Sequence, residues 1–201
     1  MTMLFVIASN NQKKIEELDR ILSPLEIYAK TAQQLGKELP EVEETGSTFE
    51  ENAELKAKAA CESTGFPAIA DDSGLVVDAL DGRPGIMSAR YAGEGATDEE
   101  KINKLLSEMM ASGSSDRSAH FECVICCYFP SGEKLFAHGR CDGTIGYAPR
   151  GKNGFGYDPI FFVEGNKTFA ELSDNQKDVM SHRGKALKEL SAILKKKYDI
   201  K

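Results

Sequence analysis

The chain has 201 residues, 41% of them hydrophobic, which is enough for one sizeable core or for two small lobes. A net charge of −7 and a pI near 5.1 argue against a nucleic-acid partner, because neutralising a polyanion requires a basic surface. A small anionic ligand is compatible with this charge, since a few local cations and a metal ion can hold it.

A membrane partner is not expected either. No stretch approaches the roughly 20 continuous apolar residues of a membrane helix, and residues 1–8 lack the basic start and long apolar middle of a signal peptide. These features predict a cytoplasmic protein.

The cysteines predict reduced thiols in a core, because they are odd in number and lie mostly in apolar, strand-like sequence. Cys123 and Cys126 have the spacing of half a zinc or redox motif, but no second pair accompanies them. The five cysteines are Cys61, Cys123, Cys126, Cys127 and Cys141.

The first segment of the chain predicts a strand, a polar loop and a helix. Residues 3–8 form a continuous apolar run of strand length, and small polar residues at 9–11 interrupt it. Apolar residues then recur at helical spacing over residues 12–22, which predicts an amphipathic helix. A second short strand is expected at residues 26–30.

The next segment predicts a helix followed by another strand. Thr48 and Glu51 have the spacing of a capping box, which opens a helix that Gly65 is expected to end. A third short strand at residues 68–70 runs directly into an acidic pair that begins at Asp71.

The second half of the chain changes from helical to strand periodicity. Capping-box spacing at residues 97–100 and 173–176 predicts two helices, and residues 184–198 predict a C-terminal helix. Alternation over 120–129 and a turn at 130–132 predict a long antiparallel hairpin. The elements together predict an α/β fold: a mixed sheet flanked by helices, in one domain over 1–201, with two lobes around a central cleft.

Asp71 and Asp72 are the strongest candidates for chemistry. They follow an apolar strand, and ligands of open α/β sheets bind at strand ends. Acidic residues of the loop 41–44 and of the helix start at 50–54 supply further oxygen ligands, and Mg²⁺ favours a few carboxylates with water and phosphate oxygens. The alternative is a surface Asp-Asp turn with solvated glutamates around it.

Residues 9–13 form a second candidate site. Backbone N–H groups, a hydroxyl and side-chain amides surround the start of the first predicted helix, where phosphate binds favourably. The G-x-x-x-x-G-K-[ST] spacing of a P-loop is absent from the chain. A plain helix cap explains the same residues equally well.

A third candidate combines an aromatic, glycine-rich loop at 154–158 with a basic segment at 181–183. Phe155 can stack on a base, and Lys177, His182 and Arg183 can donate hydrogen bonds to carbonyl oxygens. The alternative is an aromatic packing loop followed by a helix start.

These segments together resemble the Ham1-like family of inosine/xanthosine triphosphate pyrophosphatases, over nearly the whole chain. Six motifs in the same order make the resemblance much more specific than any one of them. They are Ala8-Ser9-Asn10-Asn11-Gln12-Lys13, Thr48-Phe49-Glu50-Glu51-Asn52-Ala53-Glu54-Leu55-Lys56-Ala57, Ala70-Asp71-Asp72-Ser73-Gly74-Leu75, Pro84-Gly85-Ile86-Met87-Ser88-Ala89-Arg90-Tyr91, Gly154-Phe155-Gly156-Tyr157-Asp158-Pro159 and Met180-Ser181-His182-Arg183.

The resemblance implies a Mg²⁺-dependent hydrolysis of inosine, deoxyinosine and xanthosine triphosphates to the monophosphate and pyrophosphate. It implies a homodimer, with the nucleotide in the central cleft. It makes Asp72 the general base, and Glu41, Asp71 and Asp72 the metal ligands. The residues that it assigns to substrate are Ala8, Ser9, Asn10, Asn11, Gln12, Lys13 and Lys56 for the triphosphate, and Ser73, Phe155, Gly156, Tyr157, Asp158, Lys177, His182 and Arg183 for the base.

The first loop departs from the family pattern, which commonly has Thr-Gly-Asn where this chain has Ala8-Ser9-Asn10. The missing threonine hydroxyl puts the role of Ala8 in doubt. Base choice is expected to depend on O6, which accepts a hydrogen bond in hypoxanthine and xanthine, whereas adenine carries a donor there. A nucleotide sensor without turnover, and a pyrophosphatase for other modified or pyrimidine nucleotides, are the alternatives.

Overall fold

Helices and strands alternate through the first half of the chain, and strands dominate the beginning of the second. The computed structural model describes residues 4–23 and 27–198. The strands are β1 (Leu4–Ile7), β2 (Tyr28–Thr31), β3 (Ala68–Val77), β4 (Ser118–Tyr128), β5 (Lys134–Ile145), β6 (Phe161–Val163) and β7 (Lys167–Thr168), and the α-helices are α1 (Gln12–Leu22), α2 (Phe49–Thr64), α3 (Asp98–Ala111), α4 (Asp174–Met180) and α5 (His182–Tyr198).

The chain divides into two compact units. The first contains the described residues of Met1–Asp72, Cys123–Gly139 and Arg183–Lys201, and the second contains Ser73–Glu122 and Arg140–His182. Parts of β3, β4 and β5 belong to each unit. The single catalytic domain expected over 1–201 stays a prediction, as does the cleft.

The first unit has the strand order β2-β1-β3-β4-β5, in which β1 pairs in parallel with both β2 and β3. One face of this sheet packs with Leu18 of α1 and Leu187 of α5, around Ile69 of β3. The other face packs with Ala57 of α2, around Ala70 of β3. Because both faces are covered, β4 is buried almost throughout rather than on alternate residues.

The second unit has the strand order β3-β4-β5-β6-β7, with antiparallel pairing of β5 with β6 and of β6 with β7. The parallel and antiparallel pairs make the sheet mixed, which confirms the predicted α/β class. The core of this unit includes Leu105 of α3, Phe161 of β6 and Tyr157 of the glycine-rich loop.

Local sequence signals predicted several element boundaries correctly. Helix α1 begins at Gln12 and ends at Leu22, as expected from periodicity, and Asn11 caps it by accepting a hydrogen bond from the Lys14 N–H at 3.2 Å. Both reciprocal capping-box bonds are present at Thr97 and at Ser173. Adjacent strands β4 and β5 form the predicted hairpin.

Two local predictions need correction. The Thr48 hydroxyl accepts from the Glu51 N–H, but the Glu51 carboxylate binds the N–H and hydroxyl of Ser47 instead of closing the box on Thr48. Strand β3 extends from Ala68 to Val77 rather than ending at residue 70, because β4 lies beside it as a hydrogen-bonded neighbour. Met3 and Glu26, which the strand predictions included, lie outside the described residues.

The described helices include none that is both long and apolar enough to cross a membrane. All five cysteines are buried free thiols, as predicted. Burial raises the pKa of the Cys123 and Cys126 thiols to about 12, so both side chains are unreactive packing groups at neutral pH.

Candidate functional site

The acidic pair of β3 lies beyond the end of β1 and presents its two side chains to opposite faces of the sheet. The register pairs Val6 with Ala68 and Ile7 with Ile69, and β1 ends at Ile7 while β3 continues through Asp71. Successive side chains of a strand alternate between faces. Asp71 therefore lies on the face that packs with α1 and α5, and Asp72 lies on the face that packs with α2.

On the α1 and α5 face, Asp71 is the centre of a buried ion-pair cluster. Its Oδ2 accepts from Lys14 Nζ at 3.1 Å and from Arg183 Nη2 at 2.9 Å, and Arg183 also pairs with the Glu17 carboxylate. Burial by itself would raise the pKa of Asp71, but the charges of Lys14, Arg183 and Lys56 outweigh burial and hold this pKa far below its ordinary value. Asp71 is thus a permanently ionised anchor.

On the α2 face, Asp72 contacts Lys56 and Asn52. Lys56 Nζ lies 2.9 Å from Asp72 Oδ1 and 2.7 Å from Glu44 Oε1, so one ammonium group bridges two carboxylates. Burial raises the pKa of Asp72 above its ordinary value, and the charge of Lys56 offsets only part of this effect. The two adjacent aspartates therefore have pKa values shifted in opposite directions.

Asn52 fixes the acidic loop next to Asp72. Its Oδ1 accepts from the Gly46 N–H at 2.8 Å and its Nδ2 donates to Asp72 Oδ2 at 3.3 Å. A Cβ at Gly46 would come within 2.6 Å of the Asn52 Oδ1, so the loop requires glycine at this point. Asn52 thus brings the segment that carries Glu44 to the strand.

The predicted phosphate loop connects β1 with α1. The Ala8 N–H donates to the Ile69 carbonyl at 2.8 Å, and the Asn11 N–H donates to the Ser9 hydroxyl at 3.2 Å. Helix α1 joins β1 to β2 on one face of the sheet and α2 joins β2 to β3 on the other, and ligands of open α/β sheets bind beyond the carboxyl ends of such strands. A cavity of about 800 Å³ adjoins the loop and is lined in part by Ser9, Asn10 and Gln12.

The glycine-rich loop of the second unit is held by the buried Asp158. Asp158 Oδ2 accepts from the Phe155 N–H at 2.9 Å and from Lys177 Nζ at 2.6 Å. A Cβ at Gly154 would come within 2.0 Å of the same oxygen, and the φ of Gly154 is +72°, so glycine is required there. Lys177 Nζ lies over the Phe155 ring, 4.8 Å from its centroid. The loop is a rigid support for the partly exposed Phe155 ring.

Two further predicted base contacts are also buried in the second unit. The Tyr157 hydroxyl donates to the Ser88 carbonyl at 3.1 Å, and burial raises its pKa. The His182 ring is stacked on Phe121, with ring centroids 4.6 Å apart. Both side chains fix neighbouring segments of this unit.

The structure therefore groups the predicted residues in two sets. Asp71, Asp72, Lys56 and the loop 8–13 belong to the first unit, and Phe155 with its supporting residues belongs to the second. Arg183, predicted to contact the base, lies in the first unit with its guanidinium on Asp71 and Glu17. Its role as a base donor stays a prediction.

The expected metal ligands are not all gathered at one point. Glu41 is exposed in the acidic loop, and the described hydrogen bonds of Asp72 go to Asn52 and Lys56. Within residues 4–23 and 27–198, no group of three or more His, Cys, Asp or Glu side chains is arranged to hold a metal ion. Any cation here would need ligands from substrate or water.

Sequence reasoning missed Lys14 and Glu17, and it did not predict the contact of Asn52 with Asp72. Lys14 follows the predicted phosphate segment directly and is the lysine that reaches Asp71, whereas Lys13 is exposed. Helical spacing could have predicted the burial of Glu17 and the partial burial of Lys14, because positions 14, 17 and 18 lie on one face of α1 and Leu18 on that face is apolar. No local pattern pairs Asn52 with Gly46.

The fold is an open, mixed α/β sheet in which an acid pair, two lysines and a helix N-terminus lie near the ends of β1 and β3, the part of such sheets where ligands bind. The chain belongs to the Ham1 family, whose model matches residues 5–193. It is similar to the dITP/XTP pyrophosphatase of Coxiella burnetii, with 50% identity over 94% of this chain and 95% of that relative.

Two other comparisons agree with this assignment. The dITP/XTP pyrophosphatase of Desulfotalea psychrophila is 51% identical over 96% of this chain and 85% of its own length. The solved structure of a HAM1 protein from Coxiella burnetii has a TM-score of 0.88 and 47% identity, covering 96% of this chain and 99% of that chain. The likeness therefore extends through both units of the chain.

Proposed function

We propose that this protein hydrolyses deoxyinosine, inosine and xanthosine triphosphates to the nucleoside monophosphate and pyrophosphate. The observation that carries the proposal is the acid pair of β3, in which Asp71 is ion-paired with Lys14 and Arg183 on one face of the sheet and Asp72 is paired with Lys56 on the other. Two dITP/XTP pyrophosphatases that are about half identical to this chain over nearly its whole length support the same reaction.

The phosphate end of the substrate is assigned to the first unit. The N-terminus of α1, the loop of residues 8–13 and the lysines Lys14 and Lys56 supply N–H groups and positive charge for a triphosphate. The cavity of about 800 Å³ beside this loop is lined on its other side by residues 29–39 and by none of Lys14, Lys56, Asp71 and Asp72, so the assignment of the triphosphate rests on the loop and the lysines and not on this cavity.

Mg²⁺ is the proposed cofactor, and the donor chemistry around Lys56 fits it. Carboxylate oxygens of Glu44 and Asp72 both lie within 3 Å of one ammonium nitrogen, so they can share a cation. Two carboxylates suffice for Mg²⁺, which usually keeps waters and substrate phosphate oxygens among its ligands. When bound, Mg²⁺ would neutralise the charge that develops on the phosphate oxygens. Ligand roles for Glu41 and Asp71 remain part of the proposal.

Asp72 is assigned as the general base. Its carboxylate lies beyond the end of β1, on the face that carries Lys56 and Asn52, where it can take the proton of a water that attacks phosphorus. Lys56 neutralises Asp72 here, and its ammonium group can turn to a phosphate oxygen when Mg²⁺ takes its place between the two carboxylates. Asp71 serves this arrangement by fixing the strand beside Lys14 and Arg183.

The base is assigned to the second unit, where Phe155 offers a partly exposed ring for stacking. Lys177 and His182 stay the proposed donors to O6, and Ser73, Gly156, Tyr157 and Asp158 complete the proposed pocket. A donor role for Arg183, which lies in the first unit on Asp71 and Glu17, is a separate part of the proposal. An adenine at such a site would leave donors unpaired, at a cost of about 1–3 kcal/mol per group. A homodimer and a cytoplasmic location belong to the same proposal.

A panel of nucleoside triphosphates tests the proposal, with pyrophosphate release followed in the presence of Mg²⁺ and again with a chelator. Deoxyinosine and xanthosine triphosphates should be hydrolysed much faster than the four common triphosphates, and the chelator should stop release. Equal turnover of the common triphosphates would contradict the purine preference. Binding without any release would favour the sensor that the sequence left open.

A further inference from the structure

The loop that carries Phe155 is held by a carboxylate from outside the loop. Asp98, at the first position of α3, accepts a hydrogen bond from the Gly156 N–H through Oδ2 at 2.7 Å. The two residues are 58 positions apart in the sequence, and both belong to the second unit. Asp98 lies outside all of the sequence motifs that were assigned to binding of the purine base.

The Asp98 carboxylate is itself oriented by its own helix. Its Oδ1 pairs with Lys101 Nζ at 2.7 Å, one turn further along α3, while Oδ2 binds the loop. Thr97 caps the same helix with both capping-box bonds formed, so the start of α3 is fixed in place. Each carboxylate oxygen thus has its own partner. The ion pair of Oδ1 with Lys101 keeps Oδ2 directed at the Gly156 N–H.

The backbone N–H groups before and after the Phe155 Cα each donate a hydrogen bond to a carboxylate. Asp158 binds the N–H of Phe155, and Asp98 binds the N–H of Gly156. Gly156 has φ of +61°, so the peptide after Phe155 turns through a conformation that glycine adopts easily. Without a fixed acceptor at Gly156, this peptide could rotate and carry the Phe155 ring with it.

We propose that Asp98 is a positioning residue for base recognition, which acts by holding the Gly156 N–H and thereby the orientation of the Phe155 ring. The inference rests on the proposed function, because it takes Phe155 as the stacking surface. Since the triphosphate is assigned to the first unit, loss of Asp98 should weaken recognition of the base and leave recognition of the phosphates unchanged.

Asp98→Ala tests this role by steady-state kinetics with inosine triphosphate. We expect KM to rise about tenfold, the size of effect expected for one lost hydrogen bond to a charged group, with kcat changed by less than about twofold. Inorganic tripolyphosphate, which has no base, should inhibit the variant and the wild type with the same inhibition constant. Asp98→Asn keeps an acceptor oxygen and should restore KM to within about threefold.

Glu99→Ala is the matched control, because it removes an exposed carboxylate from the same first turn of α3. It should leave KM unchanged. Asp98→Ser, whose hydroxyl is too short to reach Gly156, provides the same test if Asp98→Ala does not fold.

An unchanged KM in Asp98→Ala and Asp98→Ser would overturn the inference, and so would an equal weakening of tripolyphosphate inhibition. If the wild-type protein does not hydrolyse inosine triphosphate at all, the proposed function fails instead. The two failures are therefore distinguishable.

Discussion

Asp71 and Asp72 are consecutive in the sequence, but their surroundings differ in almost every respect. Asp71 faces α1 and α5, where Lys14 and Arg183 keep it ionised. Asp72 faces α2, where burial raises its pKa and the charge of Lys56 cancels only part of this rise. The alternation of a β-strand thus separates an ion-paired carboxylate whose pKa is lowered from one whose pKa is raised by burial, within two residues.

The largest effect that would test this comparison is the loss of catalysis in Asp72→Asn. An amide cannot accept the proton of the attacking water, so turnover should fall by about 10³-fold or more, within the range known for general bases. Pyrophosphate release measures the loss, and calorimetric titration with a triphosphate should still detect binding. Undiminished turnover would remove Asp72 from the role of base.

The next effect concerns the stability that Asp71 confers. Asp71→Asn leaves Arg183 and Lys14 without the charge of their shared partner, and breaking a buried ion pair in this way costs about 3–5 kcal/mol. The free energy of unfolding, from urea denaturation followed by circular dichroism, should fall by this amount.

Asp72→Asn is the matched control for that measurement. Lys56 keeps Glu44 as a partner at 2.7 Å when Asp72 is replaced by a neutral amide, so no buried charge is left alone and the free energy of unfolding should fall by only about 1 kcal/mol. Equal losses in Asp71→Asn and Asp72→Asn would show that the two carboxylates do not have separate roles.

The smallest effect distinguishes the two lysines at the start of α1. Lys14 is partly buried and reaches Asp71, whereas Lys13 is exposed. Lys14→Gln should lower the free energy of unfolding by about 1 kcal/mol, and Lys13→Gln by less than about 0.5 kcal/mol. Thermal or urea unfolding of the two variants side by side provides the measurement, and the reverse order would contradict the assignment of Lys14 to the anchor.

Prediction from the sequence succeeded where a signal is local. The limits of α1 follow from the spacing of its apolar residues, and the start of α3 follows from Thr97 and Glu100, because these signals act between residues three or four positions apart. The acid pair and the aromatic loop were likewise recognised as motifs, and the comparisons show the family that those motifs predicted.

The sequence by itself determined the α/β class, most of the helix boundaries and the set of chemical groups from which a site is built. Only the tertiary structure decided the partners: Asp71 meets Arg183 from 112 residues away and Lys14 from 57 residues away, and Asp98 meets Gly156. Contacts of this kind depend on which face of a strand or helix each side chain occupies after packing, and no local pattern records that choice.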